Sequence, residues 1–137
     1  MPDGPESPRE GRWRRFLRWL RCRRFRVADD SMAPTLAPGD GLYVDPNAYR
    51  ERPPARGEIV VLHDPILPSR ILVKRVGFVT GEVTPPNGER VPPGTVYVVG
   101  DDPSASRDSR EFGPVSLTLV VGRAYACYRP IARRRSL

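Results

Sequence analysis

The sequence predicts one mainly β domain. Its 137 residues include 17 Pro and 12 Gly, which cut the chain into short elements joined by turns. The apolar runs between these breakers, such as Ile59-Val60-Val61-Leu62 and Val96-Tyr97-Val98-Val99, have strand length rather than helix length. A chain of this size can build one modest core.

Taken in order, residues 1–10 are polar and Pro-rich and are expected to be disordered. Over 11–26, Trp13, Phe16, Leu17 and Leu20 recur at i, i+3, i+4 and i+7 among eight arginines, which predicts a short basic amphipathic helix. Residues 25–27 read as a short strand entering the turn at Ser31, and 42–44 as the next strand. A Pro-rich loop over 45–57 precedes an apolar strand at 58–63. A strand over 70–78, with an extension to 84, ends at the turn Pro85-Pro86-Asn87-Gly88. Residues 95–99 form a strand, 104–113 a polar loop, and 117–128 the last strand, with a break at Gly122. The domain reading is therefore a tail plus helix over 1–26, a core domain over 27–128, and a loose basic tail over 129–137.

The formal charge is +7, much of it in the Arg-rich ends. Such a balance permits nucleic acid, anionic lipid or an acidic partner without choosing among them. No nucleic-acid-binding module follows the basic segment, which argues against that partner. The segment 11–26 could contact an anionic membrane surface or dock on the protein's own core. No apolar run reaches the roughly 20 residues needed to span a bilayer, and no secretory signal is evident. A cytoplasmic location, with peripheral membrane contact through 11–26, is the expectation. Cys22 and Cys127 have no CxxC or His/Cys cluster around them, so free thiols are expected and no metal site.

The chemistry centres on two positions. Ser31 sits on a turn made by Pro34 and Pro38-Gly39-Asp40, where a hydroxyl can face a cleft. Lys74 is the only lysine among 23 Lys and Arg, and it lies inside an apolar strand. Strand parity puts Leu72, Lys74, Val76 and Phe78 on one face and Val73 and Arg75 on the other. An amine in apolar surroundings loses basicity because its charged form is desolvated. To be neutral near pH 7 to 8 it must fall from ~10.4, which takes about 3 to 4 kcal/mol. Arginine titrates too high to do this. His63, next to Asp64 at a strand end, is a surface or loop histidine by this reading. Lys74 is then the better base for Ser31.

Four segments, in order, resemble the signal peptidase I family of serine endopeptidases: Ser31-Met32-Ala33-Pro34-Thr35-Leu36; Gly57-Glu58-Ile59-Val60-Val61; Val73-Lys74-Arg75-Val76; and Gly100-Asp101-Asp102 through Ser106-Arg107-Asp108-Ser109-Arg110. The resemblance runs from about residue 27 to 123 and implies coiled antiparallel β-sheets of the signal peptidase/LexA-like type. It implies Ser31 as nucleophile, Lys74 as general base and Ser106 as the residue that orients the amine. Asp108 and Arg110 would be a structural ion pair, with Met32, Pro34, Gly100 and Asp101 supporting the motifs. The backbone N–H of Ser31 would be one oxyanion donor. Two residues before the nucleophile the family carries Ser or Gly; here the residue is Asp29. Glu58 stands for the usual Asp, and Asp102 for the usual Asn.

The short connection from Lys74 to Gly100 resembles one branch in particular, the nickel-type superoxide dismutase maturation proteases. The implied substrate is a precursor's N-terminal segment. No cofactor is implied, since any nickel would belong to the substrate. Two alternatives stay open: a secretory signal peptidase tethered by the basic helix, and an inactive lipid- or protein-binding module on the same fold.

Overall fold

The structure is a computed structural model that describes residues 22–85 and 87–137. It is mainly β. The strands are β1 (Arg23–Arg26), β2 (Gly41–Asp45), β3 (Ile59–His63), β4 (Ile71–Phe78), β5 (Val83–Thr84), β6 (Glu89–Arg90), β7 (Thr95–Val99), β8 (Val115–Ser116), β9 (Val120–Arg129) and β10 (Arg135–Ser136). One antiparallel sheet runs β1-β2-β9-β3-β4-β7-β8, with β10 also on β9; β5 and β6 form a separate hairpin. A single short helix, α1 (Ser109–Phe112), follows β7 among the described residues.

Strand β3 explains how the core is divided. Its run Ile59-Val60-Val61-Leu62 is fully apolar because both faces are covered. Ile59 and Val61 enter one cluster with Val27, Met32, Leu36, Leu42, Val44, Ala124 and Cys127. Val60 and Leu62 point the other way, into a cluster with Val76, Val96, Val98 and Val115. The sheet curls between these two clusters, so that β1 and β4, which are not hydrogen-bonded neighbours, line one cleft.

Several expectations are corrected. The disordered stretch at 1–10 and the helix as far as residue 21 lie outside the described residues. The end of that expected helix, Arg23–Arg26, is strand β1, paired residue by residue with β2. Phe25 packs against the first cluster while Arg23, Arg24 and Arg26 stay exposed. Ladder hydrogen bonds to β2 and this one anchor outweigh the helical pattern.

The extension of β4 beyond Phe78 does not form: the chain turns at Thr80-Gly81-Glu82 and returns as the β5–β6 hairpin. The polar loop at 104–113 contains a 3-10 turn and α1, whose first turn Asp108 caps by accepting from the N–H of Arg110. Leu117–Leu119 is a 3-10 turn, and β9 starts only at Val120 and runs unbroken through Gly122.

The basic tail is not loose. Arg129 ends β9, Ile131–Arg133 forms a 3-10 turn, and β10 pairs with β9 at Cys127 and Ala126. The Arg133 guanidinium bonds the buried Asp40 carboxylate at 2.9 Å, and Leu137 packs on the first cluster. A buried carboxylate needs such a partner. Cys22 and Cys127 are both free.

Candidate active site

The Ser31 loop is held from beneath by its own motif. Met32 and Leu36 are 1% and 0% exposed, and the Leu36 N–H donates to the Met32 carbonyl at 2.9 Å. One turn of chain thus points two side chains into the core and leaves Ser31 on the cleft side. Gly39, at φ +90°, closes the loop in a conformation that favours glycine. Asp40 then accepts from the Ala37 N–H at 2.9 Å. Pro34 faces away from the cleft, toward Arg133 and Arg135.

Lys74 comes from β4 and is 2% exposed. It lies opposite Val60, on the strand face shared with Leu72 and Val76, as parity predicted. Phe78 leaves that pattern, because a register shift follows Val76. Burial pushes the Lys74 amine below its usual value; Asp29 and Asp108 oppose this and Arg110 adds to it. Ser31, 4% exposed, and Lys74 both line a cleft of about 70 Å³ with Asp29, Val27, Ile71 and Val73.

The third segment organises the amine. Lys74 Nζ donates to Ser106 Oγ at 3.0 Å, and Ser106 Oγ donates to Asp108 Oδ2 at 2.7 Å. A serine has one hydroxyl proton, so once it is given to Asp108 only lone pairs face the lysine. Asp108 is fully buried and also accepts from the Gly100 N–H at 2.8 Å and from Arg110 Nε at 2.9 Å. Burial alone would raise the Asp108 carboxyl; the bonds from Arg110, Gly100 and Ser106 outweigh it and hold it far below the carboxylate range. The structure therefore brings Ser106, Asp108 and Arg110 together on Lys74.

Gly100 is where this network meets the Ser31 loop. A Cβ there would lie 2.6 Å from the Ser31 carbonyl oxygen and would also strike Ser106. That same carbonyl accepts from the Asp102 N–H at 3.0 Å. Asp101 pairs with Arg75 at 2.8 Å and accepts from Thr35 Oγ1 at 2.6 Å. Asp29 accepts the Ser31 N–H at 3.0 Å. His63 stands apart, with Nδ1 2.9 Å from the Pro68 carbonyl in the β3–β4 hairpin.

Three partnerships escaped the sequence reading. Thr35 to Asp101, Asp40 to Arg133, and the pair of fully buried Asp64 with Arg107 join residues far apart in the chain. An acidic residue directly after Pro38-Gly39 was the one local hint for Asp40. Among the described residues no group of three or more His, Cys, Asp or Glu is placed to hold a metal. A larger cavity, about 470 Å³, lies elsewhere, between Tyr49, Arg52 and Val120, and includes neither Ser31 nor Lys74.

The family described as signal peptidase, peptidase S26, matches residues 15–85 and 80–129, across all four motif segments. The chain belongs to the signal peptidase family. It is 40% identical over 104 residues to the mitochondrial ATP-independent inner membrane protease subunit 1b of Arabidopsis thaliana, covering 68% of this chain and 62% of that protein. It is 36% identical over 118 residues to the mitochondrial inner membrane protease subunit 2 of Danio rerio, covering 79% of this chain and 64% of that one. A probable signal peptidase I-1 of Synechocystis sp. is 29% identical over 139 residues, covering 78% of this chain and 71% of the relative. The chain thus spans somewhat under two thirds of both mitochondrial relatives. No helix among the described residues of this signal peptidase relative is long and apolar enough to cross a membrane.

Proposed function

We propose that this chain is a serine endopeptidase that removes an N-terminal segment from a precursor protein, with Ser31 as nucleophile and Lys74 as general base. One observation carries the reading: a buried lysine, depressed by its surroundings and held through Ser106, Asp108 and Arg110, shares a small cleft with Ser31. In this mechanism the neutral amine takes the Ser31 proton as Oγ bonds the scissile carbon. The carbonyl pair moves onto oxygen. As the tetrahedral adduct collapses, the C–N bond breaks and the Lys74 ammonium protonates the departing amine. Water, deprotonated by Lys74, then releases the acyl group and restores Ser31.

The sheet supports an extended substrate. Over 71–74, β4 pairs only with β3 among the described strands, and β1 pairs only with β2. A substrate strand entering the cleft between these two edges could add to either. The cleft volume of about 70 Å³ suits a small side chain beside the scissile bond.

Two precursors separate the finer readings. The compact 74–100 connection, only a two-residue-strand hairpin, favours a nickel-type superoxide dismutase precursor by resemblance. The relatives' names, which describe signal peptidases and inner membrane proteases, favour an exported or membrane precursor. Peripheral contact with anionic membrane through 11–26, and a cytoplasmic site of action, belong to the same proposal. Exposed Ile66, Leu67 and Ile71 on the hairpin beside the cleft support such contact.

The test is co-expression with each precursor, reading its N-terminal mass with wild type and with Ser31→Ala. Trimming that disappears in Ser31→Ala supports the protease and names the precursor class. Uncut precursors together with no covalent adduct at Ser31 would replace this reading with the binding module. Flotation with anionic liposomes, with and without residues 11–26, tests the membrane contact.

A further inference from the structure

Asp29 lies where acyl transfer would need an empty place. Its Oδ1 accepts the Ser31 N–H at 3.0 Å. On the other side of Ser31, the carbonyl is taken by the Asp102 N–H at 3.0 Å. Both peptide groups of the nucleophile are therefore engaged, and the one that should stabilise a developing oxyanion already faces a carboxylate. An oxyanion and a carboxylate are both acceptors and both negative, so they cannot share that single N–H. Asp29 also lines the Ser31–Lys74 cleft.

We infer that Asp29 is a rate-setting residue of this site: its carboxylate occupies the Ser31 oxyanion donor in the free chain and must swing out before an acyl oxygen can enter. This rests on the reading of Ser31 as nucleophile. Asp29 is exposed, so the swing carries its charge into water rather than into the core. The charged groups around it reinforce the resting position. Burial raises its carboxyl, but the Ser31 side chain and N–H, then Lys74 and Arg70, more than offset this and leave it ionised. In return, Asp29 favours the ammonium form of Lys74, as does Asp108, against burial and Arg110. The one carboxylate thus occupies the donor and partly offsets the lowering of the Lys74 amine by burial.

The two effects separate in two variants. Asp29→Gly frees the N–H and removes the charge. Asp29→Asn removes the charge but keeps an acceptor of the same shape on the N–H. The probe is p-nitrophenyl acetate, which needs no knowledge of the natural substrate. Ser31 Oγ bonds the acetyl carbon, the ester C–O bond breaks, nitrophenolate leaves with the pair, and the hydroxyl proton passes to Lys74. The burst of nitrophenolate gives the acylation rate, mass mapping places the acetyl group, and Ser31→Ala is the blank.

The expected order of rates is Asp29→Gly above Asp29→Asn above wild type. The first step overall should be roughly 10- to 100-fold, somewhat less than the usual effect of an oxyanion donor. In both variants the acid limb of the rate–pH profile should move to lower pH, which a purely structural role would not do. Acetylation of Ser31 at an equal or lower rate in both variants, with an unmoved acid limb, overturns the inference and leaves the nucleophile standing. Absence of acetyl-Ser31 in all three proteins instead removes the nucleophile reading, and this inference with it.

Discussion

Lys74 carries the sharpest expectations. As the proposed base it works only when neutral, and burial lowers its value from the usual 10.5. Activity should therefore rise with pH through that lowered value, on the acid side of where an ordinary lysine titrates. Lys74→Arg keeps the charge and some of the length but cannot lose its proton, so kcat should fall by about 10²–10⁴-fold. Circular dichroism should show the fold retained; a variant that still turns over at full rate would falsify the base assignment. Ser106→Ala leaves the amine without its fixed acceptor. It should lower kcat roughly tenfold and leave KM unchanged, since its proposed role is orientation. Lys74 stood out in the sequence because it is the single lysine in an apolar strand. That Ser106 meets it at 3.0 Å was implied only by resemblance, because the two are 32 residues apart.

The segment from Gly100 to Arg110 acts as one element, and its stability should follow the acid limb. Asp108 is held far below its usual 3.8 by Arg110, Gly100 and Ser106, against burial. A depressed carboxylate contributes stability that is present above its unfolded value and is lost as pH falls toward its folded value. Denaturant midpoints should be flat from neutral pH down to about 4 and then fall, and Asp108→Asn should flatten that fall. Gly100→Ala tests the close approach on the same element. Its Cβ would meet the Ser31 carbonyl oxygen at 2.6 Å and would strike Ser106 as well. We expect a loss of about 1–3 kcal/mol in equilibrium unfolding and of most activity. Helix α1 was unreadable in advance because four residues give no periodicity, and Asp108 as its cap shows only in the fold.

Across the whole molecule, the C-terminal strap and the Ser31 loop depend on each other. Arg133 neutralises Asp40, which is 1% exposed, and Arg135 bonds the Thr35 carbonyl from the same strap. Removing the guanidinium leaves a buried charge alone. Arg133→Ala should lower the denaturant midpoint without changing the slope, and Arg133→Lys should recover part of it. Asp101 extends the coupling, joining Arg75 of β4 to Thr35 of the loop. The curled sheet then sets the cleft by bringing β1 against β4 without pairing them.

Composition, strand-length apolar runs and four ordered motifs were enough to reach a mainly β chain of the signal peptidase family, with Ser31 and Lys74 as its candidate pair. Those features are local: a turn, a two-residue alternation and one unusual amine are each written in neighbouring positions. What needed the folded chain was every choice between equally good local options. Arg23–Arg26 carries a pattern compatible with either a helix or a strand, and β2 supplied the partner that made it a strand. The tail looked like loose charge until Asp40, 93 residues away from Arg133, gave it something to hold. Asp29 read as a departure from the family's Ser or Gly two residues before Ser31, where a carboxylate is a poor oxyanion partner. Its bond to the Ser31 N–H spans only two residues, but its place in one cleft with Lys74 depends on where the loop docks, because that cleft is shaped by residues from β1 and β4 that are distant in sequence.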